Sequence, residues 1–364
     1  MVRLTRAQQQ ERTRAAVLAA AREEFAERGY ADAKIDRIAE RAELTRGAVY
    51  SNFPSKRALY LAVLVESIEH TDTPAALSPP DLAEALGAFA RVWLERLPLT
   101  GDTPAGGSLR LRSLAGVIDD EPGRTVLAQV ARLEALLLAL ALESRAPRHP
   151  RRVRLAELVL TLLNGAGHLA GTAPGFGDPF DVARACRHLA DLDLADTWDP
   201  PHLPFVTPAQ PAQDAWEPPA ELPDQITGRP VGFDADGVIA VIGAGRLEAA
   251  EEAVRAAHPG DRITVAVVTH DPAEIGRLVR LRIGDLAGCL GRVFAPDAWP
   301  GLRLVLDEHA VLSSALGVRD IDDTTEAAVR IQAGTIIARA HGRGAAHAAA
   351  AQWRGIPKVT SRSS

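Results

Sequence analysis

Cysteine is nearly missing from this chain: Cys186 and Cys289 are the only two in 364 residues. Two thiols make no disulfide framework, and Cys186, set in an apolar helical segment, reads as a small buried residue. No apolar run of membrane-spanning length and no signal-peptide pattern stand out, so the expectation is a cytoplasmic protein without membrane contact. His309, His341 and His347 fall in no metal-ligand spacing. No catalytic constellation rises above background, so neither metal nor cofactor is expected and the chain is not read as an enzyme. An excess of positive charge is missing too. Forty-one Lys and Arg stand against 47 Asp and Glu, a net −6, which excludes a generic nucleic-acid coat. The imbalance is uneven, however: residues 1–60 carry twelve Lys and Arg against eight Asp and Glu, leaving −10 for the rest. A basic head on an acidic body suits a reader of one specific polyanionic site.

What is present in that head is helical periodicity. Val17, Leu18, Ala21 and Phe25 form one apolar stripe with Arg14, Arg22 and Glu24 turned to water, and Gly29 ends the helix. Ile35, Ile38, Ala39 and Ala42 form the inner face of a second helix, whose small residues permit a close crossing. Leu44, Val49 and Phe53 supply the inner face of a third. Its outer face is then Thr45, Arg46, Gly47, Tyr50 and Ser51, short or polar groups able to enter a major groove. Thr45 is a candidate N-cap, and Ser55 another for the helix that starts at Lys56.

Two helices, a tight turn and a capped third start within thirty residues are the layout of a helix-turn-helix DNA reader. From Arg12 to Leu64 the chain resembles the DNA-binding domain of the TetR/AcrR family of bacterial regulators. The likeness is carried by Phe25-Ala26-Glu27-Arg28-Gly29-Tyr30, Ile38-Ala39, Gly47-Ala48-Val49-Tyr50 and Asn52-Phe53-Pro54-Ser55-Lys56. It implies that Thr45, Arg46, Gly47, Tyr50, Ser51 and Asn52 face double-stranded DNA, with Lys56 and the helix start there holding phosphate. Two positions depart from the family. Ala33 stands where a capping Thr is usual, with Asp32 as the candidate substitute, and Glu43 stands where the turn usually has Gly.

Helical spacing continues from Ala58 to about Asp196. Leu82, Ala85, Leu86, Phe89 and Trp93 form one face, Val126 to Leu140 a second, and Leu155, Leu158, Val159, Leu162 and Leu163 a third. The resemblance implies that helices near 152–170 and 179–192 build a homodimer interface, and a half-site reader needs such a partner. Trp93, Arg110, Arg112 and His168, polar or amphipathic groups among aliphatic ones, are the candidate lining of a small-molecule cavity for an apolar or amphipathic effector.

Nine prolines between Trp198 and Pro230 mark residues 197–230 as a linker, with Trp198, Phe205 and Trp216 expected to lie against a domain. Beyond it, strand runs at 238–242, 263–268 and 302–306 alternate with helices. A hairpin follows, turning at Gln332-Ala333-Gly334, and the order describes a small sheet with helices on both faces. With Leu304-Val305-Leu306-Asp307-Glu308 and Gly334-Thr335-Ile336-Ile337-Ala338, residues 231–356 resemble a thioredoxin-like fold of the peroxiredoxin branch. The thiolate such enzymes need is missing, as Gly243-Ala244-Gly245-Arg246 stand at the end of the first strand. A competing view takes Gly243 and Gly245 as the start of a dinucleotide fingerprint, whose third glycine is replaced by Glu248.

The sequence thus describes a multidomain chain. An all-α helix-turn-helix head (1–57) and an effector-binding and dimerisation bundle (58–196) lead through the linker to an α/β thioredoxin-like accessory domain (231–356). The expected function is a ligand-responsive transcription regulator, a repressor released from a palindromic operator. The alternatives are a redox or nucleotide-dependent enzyme carried by the last domain, an oxidation sensor using Cys186 or Cys289, and a scaffold that recruits a protein partner.

Overall fold

A computed structural model describes residues 5–69, 76–97, 114, 116–144, 151–299 and 301–352; Arg110 and Arg112 lie outside them. The head comprises α1 (Arg6–Asp32), α2 (Ile35–Arg41) and α3 (Arg46–Asn52), and α4 (Lys56–Glu69) leads out of it. Thr5 and Gln8 close a reciprocal capping box at the start of α1. Gly29, at φ 70°, breaks its helical path near the end, as the glycine there implies. The expected inner faces pack together: Val17, Ala21, Phe25, Ile38, Val49 and Phe53 are all buried.

Glu24 reverses its expected orientation. It is fully buried, accepts the Lys34 amide at 3.3 Å, and lies 3.5 Å from the Arg41 guanidinium. The missing Thr cap at Ala33 is therefore compensated by Glu24, which offers a carboxylate to the start of α2, and not by Asp32. Glu43 adopts φ 55° in the turn between α2 and α3, the left-handed geometry that favours glycine. Glu43→Gly is expected to stabilise the protein by about 1 kcal/mol, read as a raised denaturation midpoint with unchanged slope. A lower midpoint would mean that the Glu43 side chain contributes more than its backbone costs.

The bundle continues with α5 (Leu82–Leu94), α6 (Glu121–Glu143), α7 (Val153–Thr172) and α8 (Pro179–His188). Contrary to the sequence expectation, α6 is long and apolar enough to cross a membrane by length and composition. Its apolar residues, Val130, Leu133, Leu136 and Leu137 among them, are instead buried in the protein core.

The proline-rich stretch is not a free linker. Residues Gln210–Ala215 form β1, an edge strand antiparallel to the last strand of a six-stranded sheet. Pro211 is tolerated there because an edge strand leaves one side unpaired, and the register shifts just after it. Trp216 is buried and donates its indole N–H to the Phe233 carbonyl at 2.6 Å. Short strands β2 (Leu222–Pro223) and β3 (Pro230–Val231) pair beside it. Trp198 stacks under Arg255, whereas Phe205, expected to pack, is 85% exposed.

The sheet proper contains β4 (Gly237–Gly243), β5 (Arg262–Val268), β6 (Leu302–Leu306), β7 (Glu326–Gln332) and β8 (Thr335–His341), in the order β1-β8-β7-β4-β5-β6. Strands β4, β5 and β6 are parallel, and β7 returns antiparallel to β4. The expected hairpin is present, with Ala333 and Gly334 both at positive φ in its turn. Long helices do not cover both faces. Val238, Ala240 and Ile242 point toward α9 (Ala249–Ala256), α10 (Arg277–Val293) and α12 (Ala345–Ala351). Ile239 and Val241 point to the other face, closed by Trp216, Phe233 and the five-residue α11 (Val311–Ala315).

Helix α10 is central to the whole molecule. One side lies on the sheet and the other joins the core of the bundle, so a single apolar cluster runs from Val17 to Ala350. Polar bonds reinforce this seam. Arg282 makes a two-pronged contact with the buried Glu134 at 2.9 and 2.7 Å, and the Trp299 indole donates to the Leu137 carbonyl. Gly284 allows Ile68 of α4 to approach where a Cβ would stand 2.6 Å from its terminal methyl. The apolar excess of the bundle, which on sequence called for a partner subunit, is thus partly covered by the chain itself.

Candidate DNA-binding surface

Helix α3 owes its exposure to its two neighbours. Val49 and Phe53 anchor its inner side at 1% exposure each, and Thr45 caps its start by accepting the Ala48 amide at 3.2 Å. Arg46, Gly47, Tyr50 and Ser51 are left on the outer side, all exposed. The Arg46 guanidinium lies 5.5 Å from the centre of the Tyr50 ring and 3.4 Å from Asp36. The aromatic face thus orients a cation that remains 61% exposed, an arrangement suited to a base edge.

The other expected contacts are partly engaged within the protein. The Ser51 hydroxyl and the Asn52 amide both donate to the Ala48 carbonyl, tying off the end of α3. The Lys56 ammonium donates to the Ala31 carbonyl at 3.0 Å and sits 4.8 Å from the Tyr30 ring centre, and burial lowers its pKa. It braces the kink after Gly29, so any phosphate contact competes with that bond.

Beside the start of α4, the expected phosphate seat, stands one of the chain's own carboxylates. Ser55 caps the helix by accepting the Ala58 amide, and its hydroxyl donates to Glu274. Arg57 next to it also pairs with Glu274, and reaches Asp120 at 2.7 Å. Asp120 in turn caps α6. Head, bundle and α/β domain therefore meet at Arg57. Sequence reasoning missed Glu274 because it lies more than two hundred residues from its partners, in a wide helical turn (Pro272–Gly276) that Asp271 caps.

Of the expected effector residues, Trp93 and His168 are among those described. Trp93 is buried, with Arg96 stacked 4.1 Å from its ring and Gly167 of α7 packed so closely that a Cβ would meet the indole at 2.9 Å. His168 is exposed, on the same helix as the exposed Leu158 and Leu169. Phe180 of α8 and Phe176 of the connecting segment, at 76% and 70% exposure, add further uncovered apolar groups at the two helices expected to dimerise.

The thiol and nucleotide alternatives meet specific obstacles. Cys186 is fully buried and its thiol pKa is pushed up to about 11 by burial, so the reactive thiolate is disfavoured. The Gly245 amide donates to the Asp323 carbonyl and the Gly243 amide to that of Thr325. A Cβ on Gly243 would lie 2.4 Å from the Asp323 backbone. Both glycines make room for the loop before β7, which fills the space a pyrophosphate would need.

Residues 17–63 match the family described as bacterial regulatory proteins, tetR family. The chain is 44% identical over 57 residues to the HTH-type transcriptional activator FasR of Mycolicibacterium smegmatis, covering 16% of this chain and 26% of that protein. It is 38% identical over 96 residues to the HTH-type transcriptional regulator TtgR of Pseudomonas putida, covering 26% of this chain and 45% of that one. The chain therefore spans less than half the length of these curated relatives. A solved TetR transcriptional regulator from Rhodococcus sp. RHA1 aligns with 51% of this chain and 99% of its own, at 23% identity and a TM-score of 0.32.

Proposed function

From the TetR-family helix-turn-helix domain at its N-terminus, we propose that this chain is a sequence-specific, DNA-binding transcriptional regulator acting as a homodimer on a palindromic site. The observation that carries the reading is α3, a short helix anchored by Val49 and Phe53 that presents Arg46, Gly47, Tyr50 and Ser51 to solvent. The exposed apolar face of α7 and α8 supports the dimer, since two half-sites one helical turn apart require two heads held at a fixed separation. A small-molecule effector shifts the population between separations that fit and do not fit the groove, and repression released by the effector is the proposed mode.

The α/β domain is proposed as an accessory unit that sets the position of α4. Glu274 holds Ser55 and Arg57, and Arg277 donates to the Ala58 carbonyl at 3.0 Å, so it grips the helix connecting head and bundle. The thioredoxin-like likeness of residues 231–356 rests on element order, and no redox chemistry comes with it. The proposed location is the cytoplasm.

The test is selection of bound duplexes from a random pool with the full chain, because truncation before the α/β domain would strip the covering from α6. A palindromic consensus is expected. Arg46→Ala should cost about 1–3 kcal/mol on that consensus and relax preference at one base position. If Arg46→Ala binds every selected sequence as wild type does, α3 is not the reading element.

A further inference from the structure

A cavity of about 540 Å³ opens where α1, α4 and the start of α10 meet, with walls from the head, the helix leaving it, and the α/β domain. Its charges do not cancel. Glu66 is committed to Arg22 at 2.7 Å, and Glu308 to Arg280 at 2.9 Å. Arg14 and Arg277 also line it, and neither makes an ion pair with a carboxylate among the described residues. Their guanidiniums lie 4.7 and 5.4 Å from the centre of the same Phe53 ring, and among the described residues Arg277 donates to the carbonyls of Ala58 and Ala273. Burial, and then the charge of Arg14, lower the pKa of Arg277, while the carboxylates of Glu308 and Asp271 act in the opposite sense without offsetting them. Leu18, Ala62, Val65 and Pro272 supply the apolar part of the lining.

We propose that this cavity binds a small organic acid, its carboxylate or phosphate group between Arg14 and Arg277 and its apolar body against Leu18, Ala62 and Val65. The volume falls within the range of small-molecule sites. A planar guanidinium pair is the donor set that recognises such anions with paired charge-assisted hydrogen bonds. The site lies outside the bundle positions at which an effector was expected. Its position makes it regulatory: Phe53 is the C-cap of α3, and Glu274, three residues before Arg277, holds the start of α4. An anion that fixes Arg277 relative to Arg14 fixes the head relative to the α/β domain. The regulatory part of the proposal rests on the DNA-binding reading; the binding part does not.

The experiment is a thermal shift and calorimetric titration of the full chain without DNA, using inorganic phosphate and benzoate in parallel at constant ionic strength. Phosphate distinguishes a phosphorylated ligand, and benzoate a carboxylate with an apolar body. At least one is expected to raise the melting temperature of wild type, with about tenfold weaker binding in Arg14→Ala and partial retention in Arg14→Lys. Ala273→Phe, which fills the cavity and leaves both guanidiniums in place, is expected to abolish the response. No response to either anion overturns the proposal, as does a response that survives in both Arg14→Ala and Ala273→Phe. The same anion is then added to the complex with selected DNA. A changed affinity supports the regulatory role, and an unchanged one removes that role while leaving the site. If Arg14→Ala weakens DNA binding without altering anion binding, Arg14 serves the DNA backbone and the proposal fails.

Discussion

Leu158→Arg combined with Leu169→Arg is expected to leave a folded monomer that has lost about a thousandfold in affinity for a palindromic duplex, falling to the level of non-specific binding. Each leucine is 38% exposed on α7, so its replacement removes little from the protomer core. Phe176 and Phe180, on the segment leading into α8, extend the same uncovered face. Four large apolar groups open to water on two neighbouring helices and the segment joining them are the mark of a surface that is covered in the working assembly. Two arginines at its centre, facing their own symmetry mates, bring four like charges into an apolar contact. Sedimentation should show a monomer, and denaturation should be close to wild type. Binding to an isolated half-site should also persist. A variant that remains dimeric would place the subunit interface elsewhere.

Asp261→Ala is expected to cost about 3–5 kcal/mol of stability, the penalty for removing one partner of a buried ion pair. Arg330 of β7 is 1% exposed, and its guanidinium meets Asp261 at 2.8 and 3.3 Å. It also donates to the carbonyls of Ala349 and Ala350 at the end of α12. With the carboxylate gone, a buried cation keeps only two carbonyl partners. The double variant Asp261→Ala with Arg330→Met should recover much of the loss, because no charge is then left unpaired. Urea denaturation would measure both. Since one apolar cluster links the sheet to the head, probes in α3 and in the sheet should report the same transition. Two separate transitions would show that the seam along α10 does not couple the parts.

The head was the most legible region, and the reason is local. Its three inner faces follow helical period, and Thr45 and Ser55 act as the caps that their positions suggested. The exposed side of α3 followed directly once Val49 and Phe53 were assigned inward. Glu24 was misplaced because a period analysis reads any charge as solvent-facing, and its burial depends on Lys34 and Arg41 arriving from another helix. The hairpin of β7 and β8 was legible from two apolar runs about a short turn, but β1 was hidden by Pro211, a residue that edge strands tolerate and periodicity rejects. Trp93 and His168 were chosen by type alone, and the type of a residue does not say whether a glycine on the next helix lets it pack shut.

The sequence by itself determined the helix-turn-helix head, the helical bundle, the change to an α/β region, and the residues that α3 turns outward. Each depends on spacing within a few turns of chain, where backbone geometry leaves few choices. Only the tertiary structure decided that the α/β region is clamped onto α4 and α6 through α10. The same holds for Glu274 at the start of α4, and for Arg14 and Arg277 meeting over Phe53. Those groups lie more than two hundred residues apart in the chain, and nothing in the local sequence around either partner specifies the other. What selects them is the burial of one continuous core, an interaction without direction that becomes specific only when the whole chain is packed.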